Sequence, residues 1–288
     1  CFTAGALQVN LSYRTPGTAA LERNPIGPPP GDGILLSRLD LSEGVPTEGG
    51  AGQWGFGTLD GATLDVESDG TNTYLKAIYP IDISEFGSGA NYIYGGYSPL
   101  VLQQELYITI YARMPGPYRN GCKFCKLFGL RDGENYANTT FGLDYTADDR
   151  SAMTYVGFGD GTEIGNDISN LANLAIGSPD ETGRTGSLTK TIESGGVFAS
   201  TAWGSGWHKF QLRAKFNSGT TSGNETNDGA IEVYIDGGMR TRAINIFNRN
   251  PANGFYETIN FFGYSNGGTA PSEIHMRDIT VSLNGWID

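Results

Sequence analysis

Cysteine, histidine and charge are all scarce in this chain. Among its 288 residues there are three cysteines, Cys1, Cys122 and Cys125, and two histidines, His208 and His275. Three thiols leave one odd and build no disulfide framework. A zinc site needs about four ligands. Cys122-x-x-Cys125 offers two, and the histidines have no paired spacing, so no metal site is expected. A redox dithiol belongs at a helix start in a βαβ setting, which the sequence lacks. Charged residues make up 17% of the chain, below the usual proportion of about a quarter. No apolar run approaches the length of a membrane-spanning helix. Three enzyme signatures are missing too. No Glu-x-Asp-x-Glu run places glucanase carboxylates on one strand face. No Gly-x-Ser-x-Gly elbow presents a nucleophilic serine. The glycine-rich "GFGDGTEIG" opens no clear helix, which argues against a phosphate loop.

The charge that is present is mostly negative, giving a net −12. A phosphate backbone would be repelled, so nucleic acid is not an expected partner. A polyanionic substrate would need a local basic groove. Glycine is abundant, at 43 residues, and Ser, Thr and Asn are frequent, which favours many turns and few long helices. Residues 1–34 cluster Pro and Gly in "RTPGTAALERNPIGPPPGDG" and show no apolar period, so they read as an extended arm. A chain that begins at Cys1 fits a lipidated terminus as well as a trimmed one. Sequons occur at Asn10, Asn138 and Asn224, a number that chance explains.

From Leu35 onward, short apolar alternations recur between turn signals. "TYLKAIYP" follows the turn pair Asp69-Gly70. "ELYITIYARM" sets Leu106, Ile108, Ile110 and Ala112 on one face and Glu105, Tyr107, Thr109 and Tyr111 on the other. "HKFQLRAKFN" puts Phe210, Leu212, Ala214 and Phe216 inward. "AIEVYIDGG" does the same with Ile231, Val233 and Ile235, and Asp236-Gly237 supplies the turn. In "EIHMRDITVSL" the pattern runs through Ile274 and Met276, then changes phase to Ile279, Val281 and Leu283, as a β-bulge requires. The best helix candidate is "GNDISNLANLAIG", residues 165–177. A period of two with one polar face predicts antiparallel sheets buried on one side, hence two sheets facing each other. The expected fold is an all-β antiparallel β-sandwich over residues 35–288, with the N-terminal arm before it.

In "GCKFCKLFGL", Gly121–Leu130, strand alternation sends Cys125 and Leu127 to one face and Phe124 and Lys126 to the other. The cysteines therefore read as core residues, and a bridge between them is disfavoured. Lys126 reads either as a solvated lysine or as a functional one. Tyrosine is the commonest aromatic. Tyr94, Tyr107 and Tyr111 stand where a sugar ring could stack, or where neighbouring loops or another subunit pack.

The order of these segments resembles concanavalin A-like jelly rolls, most nearly the polysaccharide lyases that cut alginate and glucuronan. "TYLKAIYP" precedes "ELYITIYARM", then "KLFGL" stands where the family has a Lys-Leu-Pro-Gly-Leu strand. "FFGYSNGGTAPSEIHMRDITVS" is similar to the family's Phe-Gly-Gly loop and closing strand, with Asp278 near its middle. The likeness spans roughly residues 55–288. It implies cleavage of a uronate chain by β-elimination, with Lys126 at the reacting centre and Tyr155 as acid or base. His275, where the family often has Tyr, is a weaker candidate base. Arg113 and Lys123 would contact substrate, and Tyr94, Tyr107 and Tyr111 would stack on it. No cofactor or catalytic metal is implied, although structural calcium is common in the fold. The sequence departs from the family at Asp144, which stands where an arginine is expected, and in lacking the strand proline. Those departures suit a glycan-binding module without catalysis, whereas the Pro-rich arm, the Gly/Asn/Thr-rich text and the scarcity of ionisable catalytic groups suit a structural component of a virion or surface assembly that multimerises through the arm. Each of the three roles implies an extracellular or surface-exposed protein.

Overall fold

The computed structural model describes residues 32–59, 61–79, 91–101, 103–113, 115, 122–131, 134–146, 149–158, 191–194, 198–199, 206–215, 218, 228–246, 256–262, 264–265 and 272–287. In the strands between 122 and 199 the backbone is described, and of the side chains only Cys125. The arm, the helix candidate at 165–177 and Phe216 lie outside the described residues.

Every described element is a strand. In chain order they are β1 (Ile34–Arg38), β2 (Trp54–Leu59), β3 (Thr63–Ser68), β4 (Thr73–Tyr79), β5 (Asn91–Tyr97), β6 (Glu105–Arg113), β7 (Cys122–Arg131), β8 (Glu134–Thr146) and β9 (Asp149–Phe158). Then come β10 (Thr191–Ser194), β11 (Phe198–Ala199), β12 (His208–Lys215), β13 (Gly229–Ile235), β14 (Gly238–Ile246), β15 (Tyr256–Phe261), β16 (Tyr264–Ser265) and β17 (Ser272–Leu283). They form two antiparallel sheets. Sheet A runs β10-β14-β13-β12-β6-β17-β4-β3, with β1 also paired to β17. Sheet B runs β11-β9-β8-β7-β15-β5-β16, with β2 also paired to β5.

The alternation seen in the sequence is what makes these strands stack. Leu75, Ile108, Ile110, Leu212, Val233, Ile274 and Val281 from sheet A meet Phe56, Ile93, Cys125, Ile259 and Phe261 from sheet B in one buried core. Fully burying an aliphatic side chain of this size contributes roughly 1.5–3 kcal/mol, so the shared core is the main force holding the layers together. Two buried or half-buried hydrogen bonds join the layers at defined points. Tyr79 Oη donates to the Phe262 carbonyl at 2.7 Å, and Trp54 Nε1 donates to Ser37 Oγ at 2.8 Å. The phase change in the last strand is a bulge: the β17–β6 register shifts between Arg277 and Thr280, and Asp278 adopts φ 48°. The β13–β14 turn has Asp236 at φ 51° and Gly237 at φ 77°, the left-handed pair that a tight hairpin needs.

Candidate functional site

The residues singled out in the sequence divide between the two sheets. Tyr107, Tyr111, Arg113 and His275 belong to sheet A; Tyr94, Lys123, Lys126 and Tyr155 belong to sheet B. Because the sheets share a core, their outer faces lie on opposite sides of the sandwich.

On sheet A, strand alternation directs Tyr74, Lys76, Tyr111, Arg113 and His275 away from the core, and Tyr74, Arg113 and His275 contact one another. Arg113 Nε donates to His275 Nδ1 at 2.9 Å. A guanidinium can only donate, so Nδ1 carries the lone pair and the imidazole proton sits on Nε2, facing Glu273 Oε1. The His275 ring stacks on Tyr74 with centroids 4.5 Å apart and is 4% exposed. Burial holds its pKa below the ordinary value, with Arg113 and Lys76 working in the same direction against Glu273. The single lone pair of His275, the weaker candidate base, is thus engaged by Arg113, and the ring is buried. Arg113 also meets Asp69 at 3.1 Å and lies over the Tyr74 and Trp207 rings at 4.8 and 4.5 Å. Arg277 covers Tyr111 at 4.7 Å and Trp207 at 4.9 Å. Each cation–π contact contributes about 0.5–2 kcal/mol. Arg113 and Tyr111 are thus both tied to the cluster around Trp207, Tyr111 through Arg277.

Further along sheet A the same closure recurs. Tyr107 is 9% exposed. It lies edge-on to Trp286 at 5.0 Å and donates to Glu105 at 2.8 Å. Burial, followed by that bond, pushes its pKa up to about 12. Tyr234 also meets Trp286 and donates to the buried Glu232 at 2.9 Å. Arg213 bridges Glu105 at 2.7 Å and Glu232 at 2.5 Å. Trp286 closes the group by donating Nε1 to the Leu212 carbonyl at 3.0 Å. Of the two readings of Tyr107, sugar platform or packing residue, it is packing that the structure describes: the C-terminal segment covers the ring. His208, at the start of β12, bonds Asp236 at 2.7 Å, which ties it to the β13–β14 turn.

Sheet B carries a different arrangement. Reading the pairings across it gives one row: Gly55 in β2, Gly96 in β5, Asn260 in β15, Lys126 in β7, Thr140 in β8 and Gly157 in β9. With strands about 4.8 Å apart the row is about 24 Å long, and three of its six positions have no side chain. Lys126 is interior to it. A second row runs Lys123, Gly142, Tyr155, again with glycine in the middle. The side chains of Lys123, Lys126, Asp144 and Tyr155 lie outside the described residues. Cys125, the neighbour of Lys126, is fully buried in the core, as its position in the strand predicted, and burial drives its thiol pKa upward.

Asn260 and Tyr94 are described on this outer face, together with Thr258, which bonds Ser98 at 3.4 Å. Asn260 is half-buried between the core residues Ile259 and Phe261, and it sits in register between Gly96 and Lys126. The sequence reading missed it, although one polar residue inside the apolar run "TINFF" was a usable signal. Tyr94, on the same outer face, is 43% exposed. Among the described residues, no group of three or more His, Cys, Asp or Glu stands together as metal ligands. No helix among them is long and apolar enough to cross a membrane.

No protein-family model matches this chain, and no curated protein matches it. Solved structures do. Endo-β-1,4-glucuronan lyase from the fungus Trichoderma reesei is similar with a TM-score of 0.53 and 12% identity, over 85% of this chain and 95% of that one. Alginate lyase vAL-1 from Chlorella virus gives 0.52 and 12%, over 86% and 99%. Alginate lyase Aly36B gives 0.50 and 12%, over 78% and 85%. At this identity the likeness is one of fold, and the fold is a jelly-roll β-sandwich similar to that of alginate and glucuronan lyases.

Proposed function

We propose that this protein binds an acidic polysaccharide across the outer face of sheet B and cleaves it by β-elimination. The observation that carries the reading is the register row, in which a lysine is flanked by Asn260 and Thr140 and bordered by glycines. The likeness of fold to glucuronan and alginate lyases supports it. The reading requires the Lys126 ammonium to stand on the outer face of the sheet.

The chemistry assigns a part to each group. The C–H bond beside the uronate carboxylate breaks and its proton passes to a base. The electron pair left behind forms a C=C bond to the adjacent carbon, whose bond to the glycosidic oxygen breaks, and that oxygen takes up a proton. A donor on the carboxylate stabilises the charge that builds up before the leaving group departs. The Asn260 amide and the Lys126 ammonium suit that part. Tyr155, in the Lys123 row, suits the proton transfers, which contribute typically 10²–10⁴-fold each. A substrate of this kind is met outside the cell, and the reading puts the protein there.

The test is incubation with alginate and with glucuronan while unsaturated product is followed by ultraviolet absorbance. Product is expected from the wild type, with a fall of roughly 10²–10⁴-fold in Lys126→Ala. Product formed equally well by that variant would overturn the assignment. A second reading, glycan binding without cleavage, is favoured by one observation: Asp144 occupies β8, where a carboxylate repels a uronate. Binding of either polymer with no product from the wild type would select it.

A further inference from the structure

We propose that the connection between β1 and β2 closes the sheet B row at its β2 end, so that the protein takes hold of a glycan by one end of the chain rather than along its length. The inference rests on the reading that an acidic polysaccharide lies across sheet B, but not on the reaction. Trp54 and Phe56 pack into the core, so Gly55 between them faces outward. Its outward side is not open. A Cβ on Gly55 would fall 2.4 Å from Gly49 N, 2.5 Å from Gly49 Cα and 2.9 Å from the Glu48 carbonyl carbon. Backbone therefore lies directly on backbone, which only glycine allows. The next outward position of β2, Gly57, is filled by the Tyr94 ring, whose Cζ lies 2.2 Å from a Cβ built there. Gly55 and Gly57 are thus both covered, and the far side of the covering segment, at Glu48 and Gly49, is exposed.

Hydrogen bonds hold the segment there from both sides. Phe56 N donates to the Pro46 carbonyl at 2.8 Å, and Gln53 N to the Gly50 carbonyl at 2.9 Å. Gly52 N donates to the Ser98 carbonyl at 2.7 Å, and Ser98 N returns a bond to the Gln53 carbonyl at 3.2 Å, which ties the segment to the residue after β5. Leu41 and Val45, earlier in the same connection, pack against the core. Anchored so, the segment stands as a fixed ridge. A polyuronate continuing over it would also pass the Glu48 carboxylate, a like charge. Gly96, Asn260 and Lys126 follow Gly55 in register, so three strand spacings, about 14 Å, separate the ridge from β7. A glycan lying along the row ends against the ridge, and the length of chain between that end and the lysine is fixed. Cleavage there would release one short product of constant size.

The test is a calorimetric titration of the full chain, in the cold, with glucuronan fractions of graded length compared at equal mass. Ultraviolet absorbance verifies that no chain is cut during the titration. A fraction about 10-fold shorter offers about 10-fold more ends per unit mass, so apparent affinity per unit mass should rise about 10-fold. Unchanged affinity per unit mass would overturn the ridge, since it marks binding along the chain interior. A variant lacking Glu48 and Gly49 should lose the dependence on length, with thermal unfolding to verify that it folds. Persistence of the dependence in the folded variant would equally overturn the ridge; if the variant does not fold, the wild-type series decides alone. Failure of the lyase reading looks different: no unsaturated product forms under any condition, yet binding still tracks the number of ends, and the ridge stands. Conversely, if product forms and depends on Lys126 but spans all sizes from the start, the reaction stands and the ridge falls. A wild type that binds no fraction overturns the ridge together with the glycan reading.

Discussion

His275 illustrates how one bond decides what a residue can do. The Arg113 Nε–H fills its only lone pair, so acid must protonate Nδ1 and set two cations against each other. Its pKa is held below the ordinary value of 6.5, first by burial. The sign follows from proton binding: between the lowered native pKa and 6.5 the unfolded chain holds a proton that the folded chain does not. Stability is therefore complete above about pH 6.5 and declines as pH falls below it. Urea unfolding between pH 8 and 5 should show that decline in the wild type and a smaller one in His275→Gln, whose amide oxygen can still accept from Arg113. His275→Ala leaves the Arg113 donor without its acceptor and should cost about 2–3 kcal/mol at pH 7.5.

Among elements, the strand pair β2–β5 is the most constrained. Gly95 adopts φ +93°, and a Cβ there would lie 2.1 Å from the Gly55 carbonyl oxygen. Side chains rarely adopt this conformation, and the obstacle is backbone, which cannot swing aside. Gly95→Ala should lose at least about 2 kcal/mol in urea unfolding. Such elements also mark the limit of what the sequence discloses. The period-two runs of β6, β12 and β13 predicted their buried faces, since alternation is local. The β17 bulge was legible as a phase change, and the Asp236-Gly237 turn as a dipeptide. Tyr107 and His275 were not legible as buried, because Trp286 and Arg113 reach them from 179 and 162 positions away. The Lys126 row was hidden for the same reason: its members run from Gly55 to Asn260 and share no motif.

For the whole molecule, the decisive feature is the contrast between its two outer faces. Sheet A is closed by arginine–aromatic stacking and by Trp286, so it contributes stability, while the row on sheet B carries the proposed function. Trp286→Ala removes a ring wedged between Tyr107 and Tyr234 and should cost about 3–5 kcal/mol in thermal or urea unfolding. The same variant should leave binding of alginate or glucuronan at 25 °C at the wild-type level, since the ring serves the opposite sheet. Loss of binding in the folded variant would contradict this division.

The pairing of the first strand with the last has a consequence for how the domain can be mounted. Ile34 lies opposite Leu283, and Gly33 abuts the Gly285 carbonyl and the Ile287 side chain. The first and last described strands thus lie side by side in sheet A. The same adjacency makes this a candidate for circular permutation, or for grafting whole into a surface loop of another protein.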